Sequence, residues 1–129
     1  MKTSSSVNQR QPDSTWFSYK NGELHAEQVR LSEIAQDIPT PFYCYSTDAI
    51  KWAYQTLAEE LNKIDVSICF AVKANSNIAV LRLLAELGCG MDIVSGGELE
   101  RVLAAGIPAK SVIFSGIGKT DRKSTRLNS

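Results

Sequence analysis

Apolar residues recur along this chain at two spacings, every second position in short runs and every third or fourth in longer ones, and the alternation of the two predicts its elements. Residues 1–15 are mostly Ser, Asn, Gln and other polar types, with little to bury, and are expected to form a flexible terminus. Between residues 16 and 31, alternating positions flank Asn21-Gly22. That pair readily takes the positive φ angles of a two-residue turn, so a β-hairpin is predicted. Pro39 and Pro41 then favour an extended lead-in to a short aromatic strand, Phe42-Tyr43-Cys44-Tyr45. Ser46 or Thr47 can cap a helix over 48–62, whose Ile50, Ala53, Tyr54, Leu57 and Leu61 form one apolar stripe.

The second half is more regular. A strand ends at Lys73, and a helix is predicted over 77–87, capped by Asn75 or Ser76, with Val80, Leu81, Leu84 and Leu87 inward and Gly88 as its stop. Residues 91–95 form a second strand, Gly96-Gly97 a turn, and 98–105 a helix with Leu99, Val102 and Leu103 inward, stopped by Gly106. A third strand covers 112–115. Strand, helix, strand, helix, strand implies parallel pairing with right-handed crossovers.

Both an open doubly wound sheet and a closed (β/α) barrel use such units, and both gather ligand groups at the carboxyl ends of the strands. The Gly96-Gly97 and Gly116-Ile117-Gly118 fragments match neither the dinucleotide nor the P-loop fingerprint, which favours the barrel. The fold class expected is therefore α/β, a partial (β/α)8 barrel made of the first three βα units.

Lys73 is the candidate for chemistry. On an alternating strand it shares a face with the small Cys69 and Ala71, whereas Ile68, Phe70 and Val72 share the other. Such a face leaves room for a lysine stem and something attached to it, and a neutral amine condenses with an aldehyde as a Schiff base. The plainer reading is a lysine at a strand end that reaches into water.

Composition narrows the partners. The 129 residues are 43% hydrophobic and 22% charged, with 14 basic and 14 acidic side chains. A formal charge of zero provides no electrostatic reason to expect nucleic acid or an anionic membrane, so a small-molecule ligand is expected. Three cysteines, at 44, 69 and 89, share no metal-ligand spacing, and two lie in apolar runs, which suits reduced thiols in a cytoplasmic protein. The polar start lacks the apolar core of a secretory signal. His25, the only histidine, reads as a surface residue.

Three stretches in order, FAVKAN at 70–75, MDIVSGGEL at 91–99 and IFSGIGKT at 113–120, resemble the diaminopimelate branch of the pyridoxal-phosphate-dependent ornithine, diaminopimelate and arginine decarboxylases. The resemblance runs from about residue 16 to 120 and includes TPFYCY at 40–45. It implies an alanine-racemase-like barrel in which Lys73 binds pyridoxal 5′-phosphate covalently. Asp92, Ser95 and Glu98 match the family's Asp-x-x-Ser-x-x-Glu stretch beside the cofactor. Set against those roles, Asp92 can brace a neighbouring strand, Ser95 can cap the glycine turn, and Glu98 can meet the dipole of the helix it opens.

The implied reaction is decarboxylation of meso-diaminopimelate to lysine and carbon dioxide. The implied assembly is a homodimer. Ornithine or arginine decarboxylation, racemisation on the same barrel, and a non-catalytic homologue acting through protein contacts remain open. By this reading, residues 16–45 are an N-terminal β segment and lead-in strand belonging to a second β domain of the full-length family, and 46–120 an incomplete cofactor-binding barrel. A whole barrel needs about 250 residues, so this chain alone is expected to be inactive. The closing RKSTRLNS resembles translated adaptor sequence, and 121–129 are expected to be a non-native tail.

Overall fold

The structure, a computed structural model, describes residues 16–117. The expectations placed on 1–15 and on 121–129, and the end of the motif at 113–120, lie outside the described residues. Two compact units divide between Ala49 and Ile50.

In the first unit, β1 (Phe17–Lys20) and β2 (Glu23–Ala26) form the predicted antiparallel hairpin, with Phe17 opposite Ala26 and Lys20 opposite Glu23. Asn21 and Gly22 make the turn at φ 54° and 81°, angles Asn tolerates and glycine adopts freely. A third strand, β3 (Val29–Arg30), pairs with β2. It leads into α1 (Leu31–Asp37), a helix that apolar spacing did not reveal because it buries no residue. Its first turn is tied instead by Arg30, whose Nε donates to Glu33 Oε1 at 2.8 Å.

The aromatic strand expected at 42–45 does not form. Those residues join no ladder, and Tyr43 is 90% exposed. An aromatic run alone makes no strand without a partner for its backbone groups. Ser46 caps α2 (Thr47–Leu61) as predicted, its Oγ accepting from Ala49 N at 3.0 Å. The same hydroxyl donates to Glu27 Oε1 at 2.7 Å, and that oxygen also accepts from Asp48 N at 3.0 Å. One carboxylate thus joins the sheet's last turn to the start of α2.

The second unit carries β4 (Cys69–Ala71), α3 (Ile78–Glu86), β5 (Gly90–Ile93), α4 (Gly96–Ala104) and β6 (Val112–Phe114). The three strands are parallel and lie in chain order, as the repeating pattern predicts. Phe70, Met91 and Val112 stand abreast in the ladder, and so do Ala71, Asp92 and Ile113. Because side chains alternate across a strand, the two rows occupy opposite faces.

The face with Phe70 and Met91 is the core side. Met91, Ile93 and Phe114 pack with Leu81 and Leu84 of α3 and with Leu99 and Val102 of α4. Gly88 and Gly106 end the two helices at φ 95° and 82°, the left-handed conformation that favours glycine. The stripe expected on α2 is only half used: Ile50 and Tyr54 pack against the core, but Ala53 and Leu57 are exposed. Leu103, expected inward, is also exposed. Among the described residues, no helix is long and apolar enough to cross a membrane.

Candidate functional site

Lys73 is not the last residue of a strand. The ladder between β4 and β5 stops at Ala71 and Asp92, and residues Val72–Ala74 turn as a single 3-10 helix packed on β5. Val72 is fully buried and anchors that turn from below, which leaves Lys73 exposed at the carboxyl end of the sheet. The strand alternation from which its face was read thus ends at Ala71, two residues before it.

Two asparagines steer the chain onward. Asn75 Oδ1 accepts from Asn77 N at 3.0 Å, and Asn77 Oδ1 accepts from Ala79 N at 2.9 Å. Asn77, rather than the expected Asn75 or Ser76, is thus the cap of α3.

Asp92 lies in the middle strand, abreast of Ala71, on the face turned away from the helices. Its Oδ1 is buried and has no hydrogen-bond partner. Buried carboxylate oxygens are rarely left so, because desolvation without a partner is costly, and such an atom invites an N–H or a positive charge.

Ser95 and Glu98 act on the backbone around them. Gly96 and Gly97, expected as a free turn, are the first residues of α4, and Ser95 Oγ caps the helix by accepting from Glu98 N at 3.2 Å. Glu98 Oε2 reaches back and accepts from Val94 N at 2.7 Å. The pair forms a near relative of the capping box, in which the acid bonds the residue before the cap. The Ser-x-x-Glu spacing at 95–98 already carried that signal. Two arginine contacts carried none: Arg101 Nη1 donates to Ser76 O at 3.4 Å, and Arg82 Nε to Ala105 O at 3.3 Å.

A groove of about 810 Å³ opens at the other end of the sheet, beside Tyr54, Ile68, Cys69, Gly90 and Ser111. It borders the amino ends of the strands, whereas Lys73 is at the carboxyl end. Burial pushes the Tyr54 hydroxyl and the Cys89 thiol up from their ordinary pKa values, so neither supplies an anion there near neutral pH.

The chain belongs to the pyridoxal-dependent decarboxylases, since the family model of their pyridoxal-binding domain matches residues 47–127. Within that family it is similar to diaminopimelate decarboxylases. It is 58% identical over 104 residues to the one from Pseudomonas fluorescens, covering 81% of this chain and 25% of that protein. Among solved structures, diaminopimelate decarboxylase from M. jannaschii in co-complex with L-lysine is similar at 35% identity and a TM-score of 0.72, over 83% of this chain and 26% of that one. SrLDC in complex with PLP and cadaverine is similar at 32% identity and a TM-score of 0.63, over 72% and 24%.

The chain thus spans about a quarter of the length of the curated relatives it matches. Its α/β fold, with a parallel sheet and helices, covers only part of the barrel in those structures.

Proposed function

We propose that this chain is the cofactor-anchoring part of a pyridoxal-phosphate-dependent decarboxylase that converts meso-diaminopimelate to L-lysine and carbon dioxide. The observation that carries the reading is an exposed amine, Lys73, on the turn after β4, which packs on β5, the strand that holds an orphaned buried carboxylate oxygen, Asp92 Oδ1. The relatives' names support the substrate, and the lysine complex in a similar structure is consistent with the product.

The residues present suit the cofactor's chemistry. When bound, pyridoxal phosphate supplies an electron-accepting ring for the electron pair left as a carboxylate departs. Lys73 would hold its aldehyde carbon and must give up a proton before its amine can attack. Asp92 Oδ1 would accept a hydrogen bond or face the positive charge that develops beside it. Ser95 and Glu98 would serve by holding the β5–α4 turn in place, so that Asp92's strand end keeps its register.

The intact protein is proposed to be a cytoplasmic homodimer, a reading that rests on the family resemblance. The domain division at 16–45 and 46–120 has the same basis.

The test is chemical. The chain is incubated with pyridoxal 5′-phosphate, reduced with borohydride and mapped by peptide mass spectrometry. Selective modification of Lys73, lost in Lys73→Ala, is expected. Equal labelling of the other lysines would refute the assignment. For the reaction, the intact protein should release carbon dioxide from meso-diaminopimelate in preference to ornithine or arginine.

A further inference from the structure

The helices α3 and α4 lie side by side and are fastened by two arginines that reach in opposite directions. Arg82 of α3 donates to the carbonyl of Ala105, the C-cap of α4. Arg101 of α4 donates to the carbonyl of Ser76, which precedes the cap of α3. The first contact satisfies an orphan carbonyl at a helix end, where a cation also meets the negative end of the dipole. The second is different in kind, because Ser76 is not in a helix. It belongs to the loop that starts at Lys73.

We propose that Arg101 is a positioning residue for Lys73, holding the β4–α3 loop in register with the β5–α4 turn. The proposal rests on the reading of Lys73 as the cofactor lysine.

Arg101 is well placed for that task. Its neighbours Leu99 and Val102 are buried at 1% and 0% exposure, so its Cα is set by the core. The start of its helix is fastened to the residues just after β5 by the Ser95 and Glu98 contacts. On the other side of the bridge, Val72 pins the beginning of the lysine loop, and Asn75 and Asn77 shape the backbone toward α3. Those asparagine bonds are local, spanning two residues each, and fix the loop's shape rather than its place against the next βα unit. Arg101 connects residues 25 apart.

At 3.4 Å and exposed, the bond is long enough for water to compete with it. Its effect is therefore expected on the order of the loop more than on global stability.

The experiment compares the unsubstituted chain with Arg101→Met, Arg101→Lys and Arg82→Met, the last removing the clamp at the far end of the helix pair. Backbone amide exchange at 74–79 is read by mass spectrometry, and Lys73 labelling by pyridoxal 5′-phosphate and borohydride is measured across pH. Arg101→Met is expected to speed exchange at 74–79 about five-fold. It should also lower Lys73 labelling and shift its pH profile. Arg101→Lys, which retains a donor, should recover most of both, and Arg82→Met should change neither.

Unchanged exchange in Arg101→Met, or an equal rise in Arg82→Met, would overturn the positioning role, since simple helix pairing would then explain the contact. If the unsubstituted chain is not labelled selectively at Lys73, the assignment of that lysine fails and the positioning role falls with it, whatever the exchange rates. Faster exchange together with reduced labelling of Lys73 in Arg101→Met alone supports the proposal.

Discussion

Gly90 opens β5 directly beside Cys69 in the parallel ladder, and the packing there makes Gly90→Ala a sharp test of the sheet's register. A Cβ at Gly90 would lie 2.7 Å from Cys69 Sγ, 3.2 Å from Ser111 O and 3.6 Å from Ile68 O. The first distance is impossible without movement. The Cys69 thiol is one rotatable bond from its backbone and can swing aside at the cost of a poorer rotamer, about 1 kcal/mol. The Ser111 carbonyl belongs to the backbone leading into β6 and has less freedom to yield. Overpacking of this sort costs about 1–3 kcal/mol, and replacing glycine's conformational freedom returns about 0.5–1. A net loss of about 1–2 kcal/mol follows.

Removing the obstruction should recover part of it. Cys69→Ala deletes Sγ, so the double variant Gly90→Ala/Cys69→Ala should be more stable than the sum of the single effects, by about 1 kcal/mol. Urea unfolding followed by far-UV circular dichroism measures all four corners, with midpoints shifting at constant slope. A neutral or stabilising Gly90→Ala, or strictly additive effects, would refute the geometry from which the clash is derived.

Three further outcomes are expected. Ser95→Ala should cost about 1 kcal/mol as a lost helix cap, and Glu98→Ala should leave the Val94 amide open to solvent exchange; unchanged protection of Val94 in Glu98→Ala would sink the bond assigned to it. Burial raises the Cys89 thiol above its ordinary value of 9.0, so the folded chain keeps a proton that the unfolded chain loses. The stability this adds is intact below that value and is lost as pH rises through the folded pKa. Urea midpoints should accordingly fall above about pH 9, and Cys89→Ala should flatten the decline. A pH profile identical in the two proteins would contradict it.

Wherever a few adjacent residues settle the conformation, the amino-acid sequence by itself was enough. Asn21-Gly22 requires the hairpin turn, Ser46 offers a cap just ahead of an amphipathic run, and Gly88 and Gly106 stop their helices because few other residues adopt their φ. The order strand, helix, strand, helix, strand allows little besides a parallel sheet. The motif around Lys73 pointed to the family to which the chain belongs.

Other features depended on partners distant in sequence. Residues 42–45 read as an aromatic strand, but no neighbour completes their ladder, and α1 forms without an apolar stripe to announce it. Lys73 left its strand because Val72 filled the core and the pairing with β5 had already ended at Ala71. The unpaired Asp92 oxygen and the reach of Arg101 to Ser76 were decided only when separate βα units came together. Local conformation follows from each residue's own backbone preferences, whereas a site is made of distances between segments, and those distances exist only in the packed fold.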